Sequence, residues 1–156
     1  MRALDTNVLA RFFIDDADDE QAARQRPAAI NALSERAFVP VTVLLEFEWI
    51  MRGFYALTRK EVARVLRALL GIEHVTIEDR ATVLAAMDAF DAGLDLADAL
   101  HVCRSERATT FVTFDRRLAR RARRAPLARP VELLNRTLKD AGNGQKGGRP
   151  RKASME

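Results

Sequence analysis

The chain predicts an α/β fold, a three-layer α/β/α arrangement with a mainly parallel central sheet. Two patterns predict it. Short β-prone runs alternate with amphipathic helical segments along the whole chain, and such alternation implies right-handed crossovers that cover both faces of a parallel sheet. Length and composition agree, because 156 residues, 48% apolar and 31% charged, suffice for one domain to bury its own core.

The elements follow in order. Arg2–Asp5 reads as a short strand that passes directly into a helix from Thr6 to about Ile14, with Asp5 or Thr6 as its cap. The acidic run Asp15–Glu20 leads the next helix, where negative charge complements the helix dipole. Helical pattern continues to about Arg36, and Pro27 predicts a kink or a fresh start within it. Ala37–Val41 is a second strand, after which Thr42 is expected to cap a helix running to Gly53. Thr58-Arg59-Lys60-Glu61 is a capping-box signature for a helix through Leu70, closed by Gly71. His74–Ile77 is a third strand, Asp79–Ala92 a helix stopped by Gly93, and Asp95 caps a helix from Leu96 to about Arg107. Thr109–Thr113 is the most β-prone run, an arginine-rich helix follows to Ala125, and Val131–Leu134 is a last strand.

Charge is unevenly spread. The net +4 conceals a body, residues 1–115, with 13 basic and 19 acidic side chains, followed by seven arginines and no acid over residues 116–129. An acidic body with a basic flank suits a metal site beside a surface that attracts phosphate backbone. The competing reading of those arginines is a solvated helix face. The segment Ala141–Glu156 is rich in Gly, Pro, Lys and Arg and is expected to be disordered. The expected division is therefore a domain over 1–138 and a basic tail over 139–156. Cys103 is the single cysteine, so no internal disulfide forms. No segment approaches the ~20 apolar residues of a spanning helix, and no signal pattern opens the chain, so the expected location is cytoplasmic, with no membrane contact.

Four acids stand out by position: Asp5 and Asp115, each directly after a strand, and Glu46 and Asp98, each early in a helix. In an open α/β sheet, ligands bind beyond the carboxyl ends of the strands. Asp5 and Asp115 equally suit helix N-caps. Glu46 shares its helical stripe with Thr42, Val43, Trp49 and Ile50, so it is either badly solvated or aimed into a site. Glu48 lies roughly 200° around the helix and is expected to be the exposed one. Asp98 shares a face with Asp95 and His101, with Asp95 read as the cap or as a supporting acid beside a metal, and His101 as a packed or solvent-edge residue. Carboxylates in apolar surroundings are costly unless compensated, and converging ones hold protons that free acids release. A divalent cation resolves that conflict. With no Cys/His cluster to offer softer donors, oxygen ligands favour Mg²⁺ or Mn²⁺ over zinc. Thr6, Asn7 and Thr113 could orient the carboxylates or hold metal-bound waters. Arg116, Arg117 and Arg120 are candidates for holding a phosphate backbone.

The strings Leu4-Asp5-Thr6-Asn7-Val8-Leu9, helical Glu46, Asp95-Leu96-Ala97-Asp98-Ala99-Leu100-His101 and Thr113-Phe114-Asp115 together resemble a PIN domain, in particular the VapC-type ribonuclease toxins of bacterial toxin–antitoxin pairs. The four motifs occur in family order over residues 2–118. The resemblance implies that Asp5, Glu46, Asp98 and Asp115 are the catalytic, metal-site positions and that Asn7 and Thr113 support them. It implies a Mg²⁺-dependent endoribonuclease, a VapB-type antitoxin that blocks the acidic pocket, and a homodimer. A non-toxin or degenerate PIN protein that only binds or processes RNA is the alternative; degenerate members lack one or more acids, and this chain has all four. Phosphotransfer of the haloacid-dehalogenase type wants a second Asp where Asn7 stands.

Overall fold

The computed structural model describes residues 1–134, so the basic tail expected over 139–156 and the end of the 1–138 domain lie outside the described residues. The elements are β1 (Arg2–Ala3), α1 (Thr6–Phe13), α2 (Glu20–Ser34), β2 (Ala37–Val39), α3 (Val41–Gly53), α4 (Arg59–Leu70), β3 (Val75–Ile77), α5 (Arg80–Asp91), α6 (Leu96–Arg104), β4 (Phe111–Thr113), α7 (Arg116–Ala122) and β5 (Val131–Leu133). Strands β1, β2 and β3 form one parallel sheet in that order, with Arg2 opposite Ala37 and Phe38 opposite Thr76. Strands β4 and β5 pair in parallel as a second, two-stranded sheet, with Phe111 opposite Val131. The fold is three-layer α/β/α, as the alternation predicts. Parallel strands point their carboxyl ends the same way, so the starts of α1 and α3 and the residues after β3 gather at one edge of the first sheet.

The sheet strands are short, and the helices supply most of the core. Leu9, Leu44, Phe47, Met51, Leu66, Met87, Phe90 and Leu96 are fully buried, each such burial contributing about 2 kcal/mol. Helix α1 packs on α2 and α3, α3 on α4 and α6, and α5 on α6. No helix among the described residues is long and apolar enough to cross a membrane.

The capping box is formed. Thr58 accepts from the Glu61 amide, and the Glu61 carboxylate accepts from the Thr58 amide at 2.7 Å. Gly93, at φ +114°, ends α5 where a side chain would be strained. Two local expectations fail. Thr42 does not cap α3; Pro40 holds the N-cap position, and Glu78, from beyond β3, accepts the Val41 amide at 2.8 Å. Nor does Pro27 begin a fresh helix; α2 runs through it from an Asp19 cap. Pro27 and Ala23, one turn earlier, are both exposed, so the carbonyl that loses its partner faces water.

Candidate active site

Asp5 occupies the N-cap position of α1 without accepting a cap bond, so its carboxylate is not consumed by the helix start. Asn7 Nδ2 donates to Asp5 Oδ2 at 3.4 Å. Thr6 is buried, and its hydroxyl donates to Glu46 Oε2 at 2.5 Å, tying α1 to α3. Three consecutive residues thus present one acid, orient it, and fix a second acid from a distant segment.

The two glutamates of α3 are placed opposite to expectation. Glu46 is exposed, on a stripe with exposed Thr42 and Trp49 and half-buried Val43 and Ile50. Glu48 is buried, at 2% exposure, on the face with Val41, Leu44, Phe47 and Met51. The helix is apolar nearly all round, so the apolar stripe around Glu46 did not mark the inner face. Burial of Glu48 is compensated by Arg52, whose Nε stands 2.5 Å from Oε1 and whose Nη2 donates to Oε2 at 3.3 Å. The Nε contact is ionic only, because its angle leaves Oε1 without a hydrogen-bond donor among the described residues. At that separation charge attraction persists without ideal alignment.

A second group of acids forms at the start of α6. Asp98 is half-buried; burial pushes its carboxyl above the ordinary range, neighbouring Asp95 and Asp115 push the same way, and His101 and Arg121 oppose them. Asp95 stands at the N-cap of α6 but makes no cap bond. It lies instead between Arg59 Nη1 and Arg121 Nη1, each at 3.7 Å. Asp115 does cap α7, its Oδ1 accepting from the Leu118 and Arg117 amides, which hold its carboxyl below the usual range. The Asp115 amide donates to Thr113 Oγ1 at 3.0 Å, so Thr113 steers the turn that aims this acid. His101 is exposed, as are Arg116, Arg117 and Arg120 on α7.

Buried flanks therefore surround the acids without burying them. Asp5, Glu46 and Asp115 are exposed and only Asp98 is partly sheltered. Two residues that bear on the site, Arg59 and Arg121, were not singled out by the sequence. Arg59 reads there only as the first residue after a cap, and Arg121 as one of seven arginines.

The Asp98 shift has a sign. A folded-state pKa raised above its unfolded value means the native protein holds the extra proton, so stability falls as pH rises from the ordinary Asp range through the raised value. Asp98→Asn should therefore raise the melting temperature at neutral pH in metal-free buffer. The gain should vanish below the ordinary Asp range, where the parent is protonated too. A melting temperature equal to or below the parent's at neutral pH would contradict this placement of Asp98.

Among the described residues no three of His, Cys, Asp and Glu stand close enough to form a metal cage. The donor chemistry nonetheless fits a hard cation. Every candidate ligand is a carboxylate oxygen, and Asp98, Asp95 and Asp115 repel one another in a way that added positive charge relieves. Mg²⁺ keeps several waters and is commonly held by one or two carboxylates together with substrate phosphate, which an open acidic edge provides. The family model described as PIN domain matches residues 2–124, well over half of the chain. No curated protein matches it.

Proposed function

The chain belongs to the PIN-domain family, whose members are generally nucleases, and from that premise we propose that it is a Mg²⁺-dependent endoribonuclease, a VapC-type toxin neutralised by a VapB-type antitoxin. The observation that carries this reading is Asp98, a half-sheltered carboxyl in the field of two further acids and bordered by arginines. That combination suits a cation and a phosphodiester side by side.

In this reading Asp5, Glu46, Asp98 and Asp115 would form the acidic edge that binds Mg²⁺ or Mn²⁺, one or two carboxylates holding the ion at a time. When bound, the ion supplies Lewis acidity and an activated water for in-line attack at phosphorus. The chain's own residues do the positioning. Thr6 fixes Glu46 and Asn7 orients Asp5. Thr113 sets the turn of Asp115. Asp95 is held between Arg59 and Arg121. Arg116, Arg117 and Arg120 face solvent on α7, where they can meet an RNA backbone. Hydrolysis breaks the bond between phosphorus and the 3′-oxygen, leaving a 5′-phosphate and a 3′-hydroxyl. An antitoxin and a second copy of the chain are the proposed partners. Trp49 and Phe54, exposed at 65% and 73% on the outer side of α3, are apolar surface for such contacts.

The test is cleavage of cellular RNA by the purified protein. Mg²⁺ or Mn²⁺ should support it, EDTA should stop it, and expression alone should arrest bacterial growth. Intact RNA after incubation with either metal would refute the nuclease reading. Cleavage without growth arrest would refute the toxin part alone.

A further inference from the structure

A cavity of about 350 Å³ is lined by Arg59, Arg120, Arg121 and Arg124 with the Ala92–Gly93 turn. It opens between the start of α4, the end of α5 and the later half of α7. Four guanidiniums share this hollow. The acid paired with them is Asp95, which contacts Arg59 and Arg121. Arg120 and Arg124 make no ion pair among the described residues, so positive charge there is uncompensated.

The hollow is also preorganised. Arg59 lies over the Phe90 ring, its Cζ 3.8 Å from the centroid, and its Nη2 donates to the Phe90 and Leu94 carbonyls. These contacts hold one fork still, so a ligand need not order it. Burial lowers the Arg59 pKa despite Asp95, and Arg121 and Arg52 lower it further by like-charge repulsion, a strain that an anion would relieve. Asp95 sits three residues before Asp98 in sequence, so the hollow adjoins the acidic edge.

We propose that this cavity seats a backbone phosphate of single-stranded RNA, beside the bond to be cut, and that Arg120 and Arg124 with Arg121 and Arg59 are the principal phosphate grip. The identity of the polymer rests on the ribonuclease reading; the anion site rests on the cavity. Arg116 and Arg117, at the start of α7, do not line it and take a lesser part. A planar guanidinium fork matches phosphate oxygens two at a time, and several forks around one hollow define a position rather than a diffuse field.

The experiment measures binding of a labelled single-stranded RNA to the Asp98→Asn protein over a salt series, so that cleavage does not intervene. Adding Arg120→Ala and Arg124→Ala should weaken binding about tenfold. It should also flatten the salt dependence by roughly 0.7 in the log–log slope, one phosphate contact on a single strand. Arg120→Lys with Arg124→Lys should restore most of the slope. The control pair Arg36→Ala with Arg64→Ala removes two exposed arginines elsewhere and should change affinity less than twofold. Equal weakening by the control pair, unchanged binding by the cavity pair, or no binding of RNA by the parent would each overturn the inference. Loss of poly-glutamate binding with RNA binding intact would overturn it too, in favour of an acidic peptide. The two readings separate cleanly. Asp98-dependent cleavage with normal RNA binding by the cavity pair sinks the cavity alone. Cavity-dependent binding without any metal-dependent cleavage sinks the nuclease alone.

Discussion

Asp98→Asn should lower the rate of RNA cleavage by at least about 100-fold, the loss expected when a charged group acting on the transition state is removed. Asparagine keeps the shape and removes the charge, and the site has a use for that charge. Burial and the fields of Asp95 and Asp115 make the Asp98 carboxylate costly in the free protein. A cation bound there recovers the cost, so Mg²⁺ should raise the melting temperature of the parent more than that of the variant. Asp5→Asn should act similarly on cleavage, since Asp5 is exposed at the strand edge and has no cap bond to lose. Its fold should be unaffected. Parent-like cleavage by both variants would remove the carboxylates from the mechanism. Thr6 makes a finer point: its hydroxyl holds Glu46, so it acts on the site through another residue rather than on the substrate.

Arg52→Ala should cost about 2 kcal/mol of stability, below the range for a fully buried ion pair because Arg52 itself is half exposed, or roughly 6 °C in melting temperature for a chain of this size. Glu48 cannot turn out to solvent from a face it shares with Phe47 and Met51, and without Arg52 its charge is left buried with Arg59 as the remaining positive neighbour. Replacing the pair together, Glu48→Met with Arg52→Met, should restore most of the loss, because well-packed apolar side chains often replace a buried ion pair at little cost. The measurement is chemical denaturation of the three proteins. A single variant as stable as the parent, or a double variant weaker than the single, would show that the pair does not compensate Glu48.

The pair also shows where sequence reading met its limit. Helix α3 carries Val41, Val43, Leu44, Leu45, Phe47, Trp49, Ile50 and Met51, so hydrophobic spacing did not choose which face turns inward. Packing against α1, α4 and α6 chose it. Glu48 went in with its arginine one turn on, and Glu46 stayed out, within reach of Thr6. The same kind of decision placed Glu78 at the start of α3 in place of Thr42, a bond between residues 37 apart. Asp115 serves the helix start and also bears on a neighbouring acid. It caps α7 through Oδ1, and its charge also reaches Asp98.

The amino-acid order alone determined the alternation of strands and helices, the Thr58 cap, the Gly93 stop and the family. These are local, written in spacing, turn chemistry and short motifs that need no distant partner. The tertiary structure alone decided which glutamate is buried, that Asp95 is gripped by Arg59 and Arg121, and that arginines from α4, α7 and the turn after α7 line one hollow. Those outcomes depend on which surfaces meet, and charge compensation between remote segments has no signature in either segment by itself.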